Sequence, residues 1–273
     1  MRNMLFCVAI AALCPGIGMS RPNDSELLGF GMDVHGAVEV TYQSKYIWRG
    51  FDIYGDDPAL QVTAGLTDIM GSGIGVGFAG HVATGIGHTN EERLDFTVYY
   101  ADSMFPGEIF AAAYRIGWVH YNYPGLYKKQ RDLEEVHGML SWPNLTGMKN
   151  LVPSYALVGM WPAFSGSSGV GSNASGFLHF LMLDYSFAVP GAFPDTPEQV
   201  FKLHSELVYN DGVSPFNADV DHSWSHAVIG ATTDVDLGYG IVLVPSLNYQ
   251  ISMERSVNPN NEAWATVGAR YSF

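Results

Sequence analysis

The residues best equipped for chemistry fall in one run, Asp219-Val220-Asp221-His222-Ser223-Trp224-Ser225-His226. Hydroxyl, imidazole and carboxylate are what a nucleophilic hydrolase combines, with the base hydrogen-bonded to the nucleophile. In extended backbone, however, Ser223 and Ser225 share one face while His222, Trp224 and His226 share the other. No Ser–His pair meets on that reading, neither G-x-S-x-G nor H-E-x-x-H occurs, and no catalytic residue is expected. Divalent cations could bridge this run, or Asp56-Asp57, to lipid phosphates, but the spacing is not that of a calcium loop. No metal site and no cofactor are expected. Lys128, Lys129 and Arg131 form the only basic cluster, suited to anionic lipid headgroups or simply to a solvated loop. A second set is scattered: Lys45, Arg49, Arg93, Asp95, Arg115, Glu206 and Arg270. Mixed charges spread thinly along a wall could set the selectivity of a passage, provided that the backbone turns them all to one side.

The composition says what kind of wall that is. Charged residues make up 15% of the 273 residues, where a soluble domain carries about 25%, yet hydrophobic residues reach 47% and aromatics 13%. Such content excludes intrinsic disorder. A net charge of −14 excludes nucleic-acid binding, which needs a basic patch to offset phosphate. Beyond the first fifteen residues no apolar run approaches the ~20 residues of a membrane-spanning helix. The chain is apolar in total but nowhere for long, which is the mark of alternation.

The start reads as an export signal: Arg2, the apolar stretch Met4 to Leu13, and the small residues Gly16, Gly18 and Ser20. The expected division is a signal peptide over 1–20, a short periplasmic segment over 21–36 and a barrel over 37–273. Cys7 and Cys14 both lie within the signal, Cys14 has no lipobox around it, and the remaining chain has no cysteine to form a disulfide.

From residue 37 the period is two. Val38, Val40, Tyr42, Tyr46 and Trp48 alternate with Glu39, Thr41, Gln43 and Lys45; Leu94, Phe96, Val98 and Tyr100 alternate with Arg93, Asp95, Thr97 and Tyr99. The same pattern recurs about twelve times, up to Ala263, Ala265, Val267, Ala269, Tyr271 and Phe273. Only the nearly all-apolar stretch Phe177 to Phe187 leaves its register open. A soluble sandwich would turn Lys, Glu and Asp outward. Here the second face is instead rich in Gly, Ala, Ser, Thr, Gln and His, with a thin population of both charges, which suits a polar lumen. The charge-free face suits lipid, and Trp48, Tyr100, Trp118, Trp142, Trp161, Tyr209, Trp264 and Phe273 are expected as interfacial girdles. Connections alternate between short turns and the longer, more polar 49–58, 84–92, 122–132, 162–175, 211–224 and 254–261, as in outer-membrane barrels.

Two motifs carry resemblances. Thr266-Val267-Gly268-Ala269-Arg270-Tyr271-Ser272-Phe273 resembles the C-terminal β-signal of bacterial outer-membrane proteins, with Thr266, Gly268, Tyr271 and Phe273 at its key positions. That resemblance implies recognition by the barrel-assembly machinery. Ser44-Lys45-Tyr46-Ile47-Trp48-Arg49-Gly50, followed by Asp57-Pro58-Ala59-Leu60-Gln61, resembles the S-x-Y-x-x-R-G…P-A-x-Q opening of an uncharacterised outer-membrane family labelled TorF-like. It implies an outer-membrane barrel with a transport role. From the residues themselves, Tyr46 and Trp48 are expected to face lipid, Lys45 and Arg49 to point inward at the rim, and Arg49 to neutralise Asp52, Asp56 or Asp57.

The expectation is an all-β transmembrane up-and-down barrel of about twelve strands in a Gram-negative-type outer membrane. It is porin-like, with the lipid bilayer and small solutes or ions as partners. Its function would be a narrow passive channel, with 162–175 as a candidate inward plug. The alternatives are a closed structural or surface-interaction barrel and, last, a hydrolase.

Overall fold

In the computed structural model, which describes residues 35–88, 91–126, 131–164, 175–191, 198–215 and 219–273, the alternating segments form one closed antiparallel barrel. Its twelve strands are β1 (His35–Gln43), β4 (Ala59–Thr67), β5 (Ile74–Ala83), β6 (Arg93–Met104), β7 (Ala112–Asn122), β8 (Leu133–Ser141), β9 (Leu151–Pro162), β10 (Gly176–Pro190), β11 (Glu198–Asp211), β12 (Ser223–Thr233), β14 (Ile241–Ser252) and β15 (Glu262–Ser272). Each pairs with the next, and β1 pairs with both β4 and β15, so the sheet has no free edge. Closure is what a sheet in hydrocarbon requires, because unpaired backbone groups have no water to bond there. Three short strands complete the set. β2 (Ile47–Trp48) and β3 (Phe51–Asp52) form a separate hairpin, and β13 (Val235–Gly238) continues the line of β12 along β14, within the sheet, at the end of the barrel where β1 begins. The signal segment and most of 21–36 lie outside the described residues.

The outward face is apolar along every strand. Val40, Val98 and Ile229 are 43%, 47% and 56% exposed, whereas Gln43, Asp95 and His226 on the other face are 7%, 8% and 1%. A soluble protein keeps contiguous apolar patches to a few hundred Å², so a continuous apolar belt of this kind has lipid as its natural solvent.

The inward face has two halves. On the β7–β11 side Val119, Met139, Ala156, Val158, Met160, Leu178, Phe180, Met182 and Val208 pack into one buried apolar cluster. This is why the sequence leaves β10 without a register. Phe177, Leu181, Leu183 and Tyr185 face outward while Leu178, Phe180 and Met182 face the cluster, so both faces are apolar. The opposite half of the lumen is polar, and charged groups stand on both sides: Arg93, Asp95 and Arg270 there, and Glu135, Asp184 and Glu206 beside the cluster on β8, β10 and β11.

Candidate functional site

The first long loop, residues 44–58, decides the interior. β1 stops pairing at Ser44, whose Oγ accepts from the Ala265 amide at 3.0 Å, and the chain then turns into the barrel. Trp48 pairs with Phe51 across a two-residue turn in which Arg49 (φ +53°) and Gly50 (φ +89°) are both left-handed. That geometry matches strand twist and favours glycine in the second place. Tyr46 (5% exposed) and Trp48 therefore sit inside the lumen and not against lipid, contrary to the period-two expectation. The alternation persists past residue 43, but the strand does not. Trp264, expected in a girdle, likewise lines the lumen, since it shares a face with Glu262 and Thr266.

The hairpin is held by charge. Arg49 donates to Glu135 Oε2 at 2.5 Å, an oxygen that also accepts from the Tyr121 hydroxyl at 2.6 Å, while Glu135 Oε1 lies 3.0 Å from His137 Nδ1. Arg49 is thus not a rim residue neutralising Asp52, Asp56 or Asp57; it bridges the loop to β8. Arg93 grips Asp95 through two nitrogens at 2.8 and 2.9 Å and donates to the Tyr46 hydroxyl at 2.5 Å; His81 Nε2 lies 2.9 Å from Asp95. Trp48 lies between the two guanidiniums, 4.4 Å from Arg93 and 5.5 Å from Arg49, within cation–π range. Gln250 donates to the Gly50 carbonyl at 2.9 Å, and any Cβ on Gly50 would run into the His226 ring. Phe51 closes the back of the hairpin against Val220 and Val257 from two other loops.

At the mouth, Lys45 pairs with Asp56 at 2.5 Å and Glu262 at 2.6 Å. These bonds raise the Lys45 pKa, and the bond from Lys45 lowers that of Asp56. Asp52, by contrast, is pushed up to about 6, first by burial and then by Glu262. His88 bridges Glu91 at 2.7 Å and Asp57 at 3.0 Å, bonds that raise its pKa.

Beneath the hairpin is a cavity of about 440 Å³ whose lining includes Arg49, Arg93, Asp95, Glu206 and Arg270 of the expected set. Lys45 stands at the mouth and Arg115 stands apart, 1% exposed with its guanidinium 3.9 Å over the Tyr99 ring. At the far end Lys202 and Arg270 share Asp234 Oδ2 at 3.0 and 3.2 Å, and Arg270 is 3.9 Å from Glu39. Of the terminal motif, Thr266 faces inward beside Ser246 at 2.8 Å, Gly268 leaves room for Glu39, and Phe273 exchanges backbone hydrogen bonds with Gly36 at 2.8 and 2.9 Å.

Sequence reasoning missed Asp184 and did not count His204 or His226 among the lumen candidates, although all three line the cavity. Asp184 is the only charge in the apolar run Phe177 to Phe187, a signal that would have fixed its register. A bulge at Val208/Tyr209 also overturns the strict alternation at 223–226, placing Ser225 Oγ 2.7 Å from His226 Nδ1. Ser225 is 0% exposed, so the pair holds an imidazole in place and offers no nucleophile to a substrate. His222 bonds instead to Asp211. Lys128, Lys129 and residues 165–174 of the expected plug lie outside the described residues.

A family model described as a bacterial protein of unknown function, Gcw_chp, matches residues 31–249. No curated protein matches the chain. Among solved structures, the NanC porin superposes with a TM-score of 0.52 at 11% identity, over 86% of this chain and 98% of that one. The KdgM porin, in a complex with disordered oligogalacturonate, gives 0.52 at 10% identity over 87% and 99%. At such identity the likeness is one of fold: a porin-type barrel.

Proposed function

The chain belongs to the Gcw_chp family, whose function is unknown, and from its geometry we propose that it is a narrow, self-plugged channel for ions or small solutes in the outer membrane of a Gram-negative-type bacterium. The observation that carries this reading is the charged cavity under a hairpin seated by ion pairs and hydrogen bonds together with buried aromatic contacts. A barrel serving only as an anchor gains nothing from burying the side chains of Arg49, Arg93 and Arg115, since each buried ion is costly even when paired. The export signal and the β-signal-like terminus support delivery to the outer membrane through the barrel-assembly machinery, and the porin-type fold agrees. The TorF-like opening, Ser44 to Gly50, is the plug strand itself, so that resemblance points to the same element.

The closed structural barrel is the second reading, favoured by the apolar cluster that fills half of the lumen. We assign no enzymatic activity, because Ser225 is sealed from the cavity.

The test is conductance of the purified protein in planar bilayers, after confirming that boiling shifts its mobility on a gel. Discrete current steps are expected, larger in Arg49→Ala, which frees the hairpin from β8. Silence in both proteins would leave the closed barrel as the answer.

A further inference from the structure

The ion pairs do not use up the charge of the lumen evenly. Among the charged groups lining the cavity, Arg49 is answered by Glu135, Arg93 by Asp95, and Lys202 with Arg270 by Asp234 and Glu39. Two carboxylates remain, Asp184 on β10 and Glu206 on β11, and the partners they meet are imidazoles. His204 Nδ1 lies 2.7 Å from Asp184 Oδ1, and its Nε2 lies 3.7 Å from Glu206 Oε2; His226 Nε2 lies 3.7 Å from Glu206 Oε1. The 3.7 Å separations are too long for hydrogen bonds. Asp184 is 2% exposed and borders the cavity, and its buried Oδ2 has no hydrogen-bond partner. This row of four carries net negative charge unless both imidazoles are protonated.

Resting on the channel reading above, we propose that Asp184 and Glu206 are the specificity-determining residues of the lumen and make it prefer small cations. A carboxylate pair in a narrow passage with low-dielectric walls acts as the acidic ring of a cation channel does, concentrating cations and repelling anions. The mouth agrees in sign. Among the described residues, the connections at that end, 44–58, 84–88, 91–92, 123–126, 131–132, 212–215, 219–222 and 253–261, carry nine acidic residues against four basic ones. An approaching cation therefore meets like-directed fields at the mouth and in the lumen.

The experiment is the reversal potential in a potassium chloride gradient across planar bilayers holding the full-length protein purified from membranes. Wild type is expected to prefer potassium, Asp184→Asn and Glu206→Gln each to reduce the preference, and the double variant to lose it. Val228→Lys supports the test from the other side: Val228 is the register partner of Glu206 and lines the cavity, so a lysine there supplies the missing cation and should also abolish the preference. This variant keeps the test decisive if the neutralised proteins fail to fold. Current steps with anion preference, or a cation preference that none of these variants moves, would overturn this inference and leave the channel standing. A wild-type barrel that passes no current would overturn both.

Discussion

Arg49 occupies a position that no residue of the wall could take, at the tip of a turn with its charge carried across the lumen to Glu135. The burial of this pair explains why a single side chain can seat a hairpin, since removing one member of a buried pair costs about 3–5 kcal/mol. Arg49→Ala and Glu135→Ala should therefore be strongly non-additive. A double-mutant cycle on hydrogen exchange at the Ile53 amide, which bonds to the Tyr46 carbonyl at 3.0 Å, should give a coupling above about 1 kcal/mol. Additive effects would mean that the pair is not what holds the hairpin. Gly50 is the second determinant, because its φ of +89° and its contact with the His226 ring both exclude a side chain. Gly50→Ala should cost about 1–3 kcal/mol of local stability and speed exchange at Ile53 roughly ten- to a hundredfold. An unchanged rate would place the tip elsewhere.

The hairpin as an element responds to pH through groups at its mouth. Asp52 titrates at about 6 because burial disfavours its charged form, so its contribution is fully present below its ordinary value near 3.8 and fades as pH rises through about 6. His88, raised by Glu91 and Asp57, acts with the same sign: its clasp on the first loop is lost as pH rises through its elevated pKa. Asp56 is lowered by Lys45, and that contact gives way only when pH falls below the ordinary carboxylate range. Between pH 8 and pH 5 the hairpin should thus seat more firmly on acidification. Protease cleavage within 44–58 should slow over that interval, and Asp52→Asn should flatten the response. Faster cleavage at pH 5 would contradict the assignment.

At the scale of the whole barrel, the two faces live in different solvents and tolerate different changes. Val98 lies midway along β6 on the outward face, where a charged side chain at the bilayer midplane costs about 2–4 kcal/mol. Val98→Lys should lower the unfolding free energy in lipid vesicles by that amount, with conductance unchanged if the barrel still assembles. A neutral effect would show that this face is not in lipid. Its inward neighbour Thr97 should accept lysine at smaller cost, because it borders the cavity.

Read alone, the amino-acid pattern was enough for the barrel, a strand number of about twelve, the lipid-facing side and the inward set of Arg93, Asp95, Glu206 and Arg270, because a two-residue period is a local property that survives any arrangement of the loops. It could not show where alternation ceases to mean strand. Tyr46 and Trp48 continue the rhythm of β1, yet they lie inside, since what turns the chain inward is a set of partners far away in sequence: Glu262, Arg93, Glu135 and Gln250. The register of β10 and the Ser225–His226 contact escaped for related reasons. When both faces are apolar the period carries no information, and a bulge shifts the count by one at a place that only the pairing of β11 with β12 reveals. Which charges cancel, and which remain to act on a passing ion, was likewise settled by tertiary structure, because pairing depends on distances across the lumen and not on spacing along the chain.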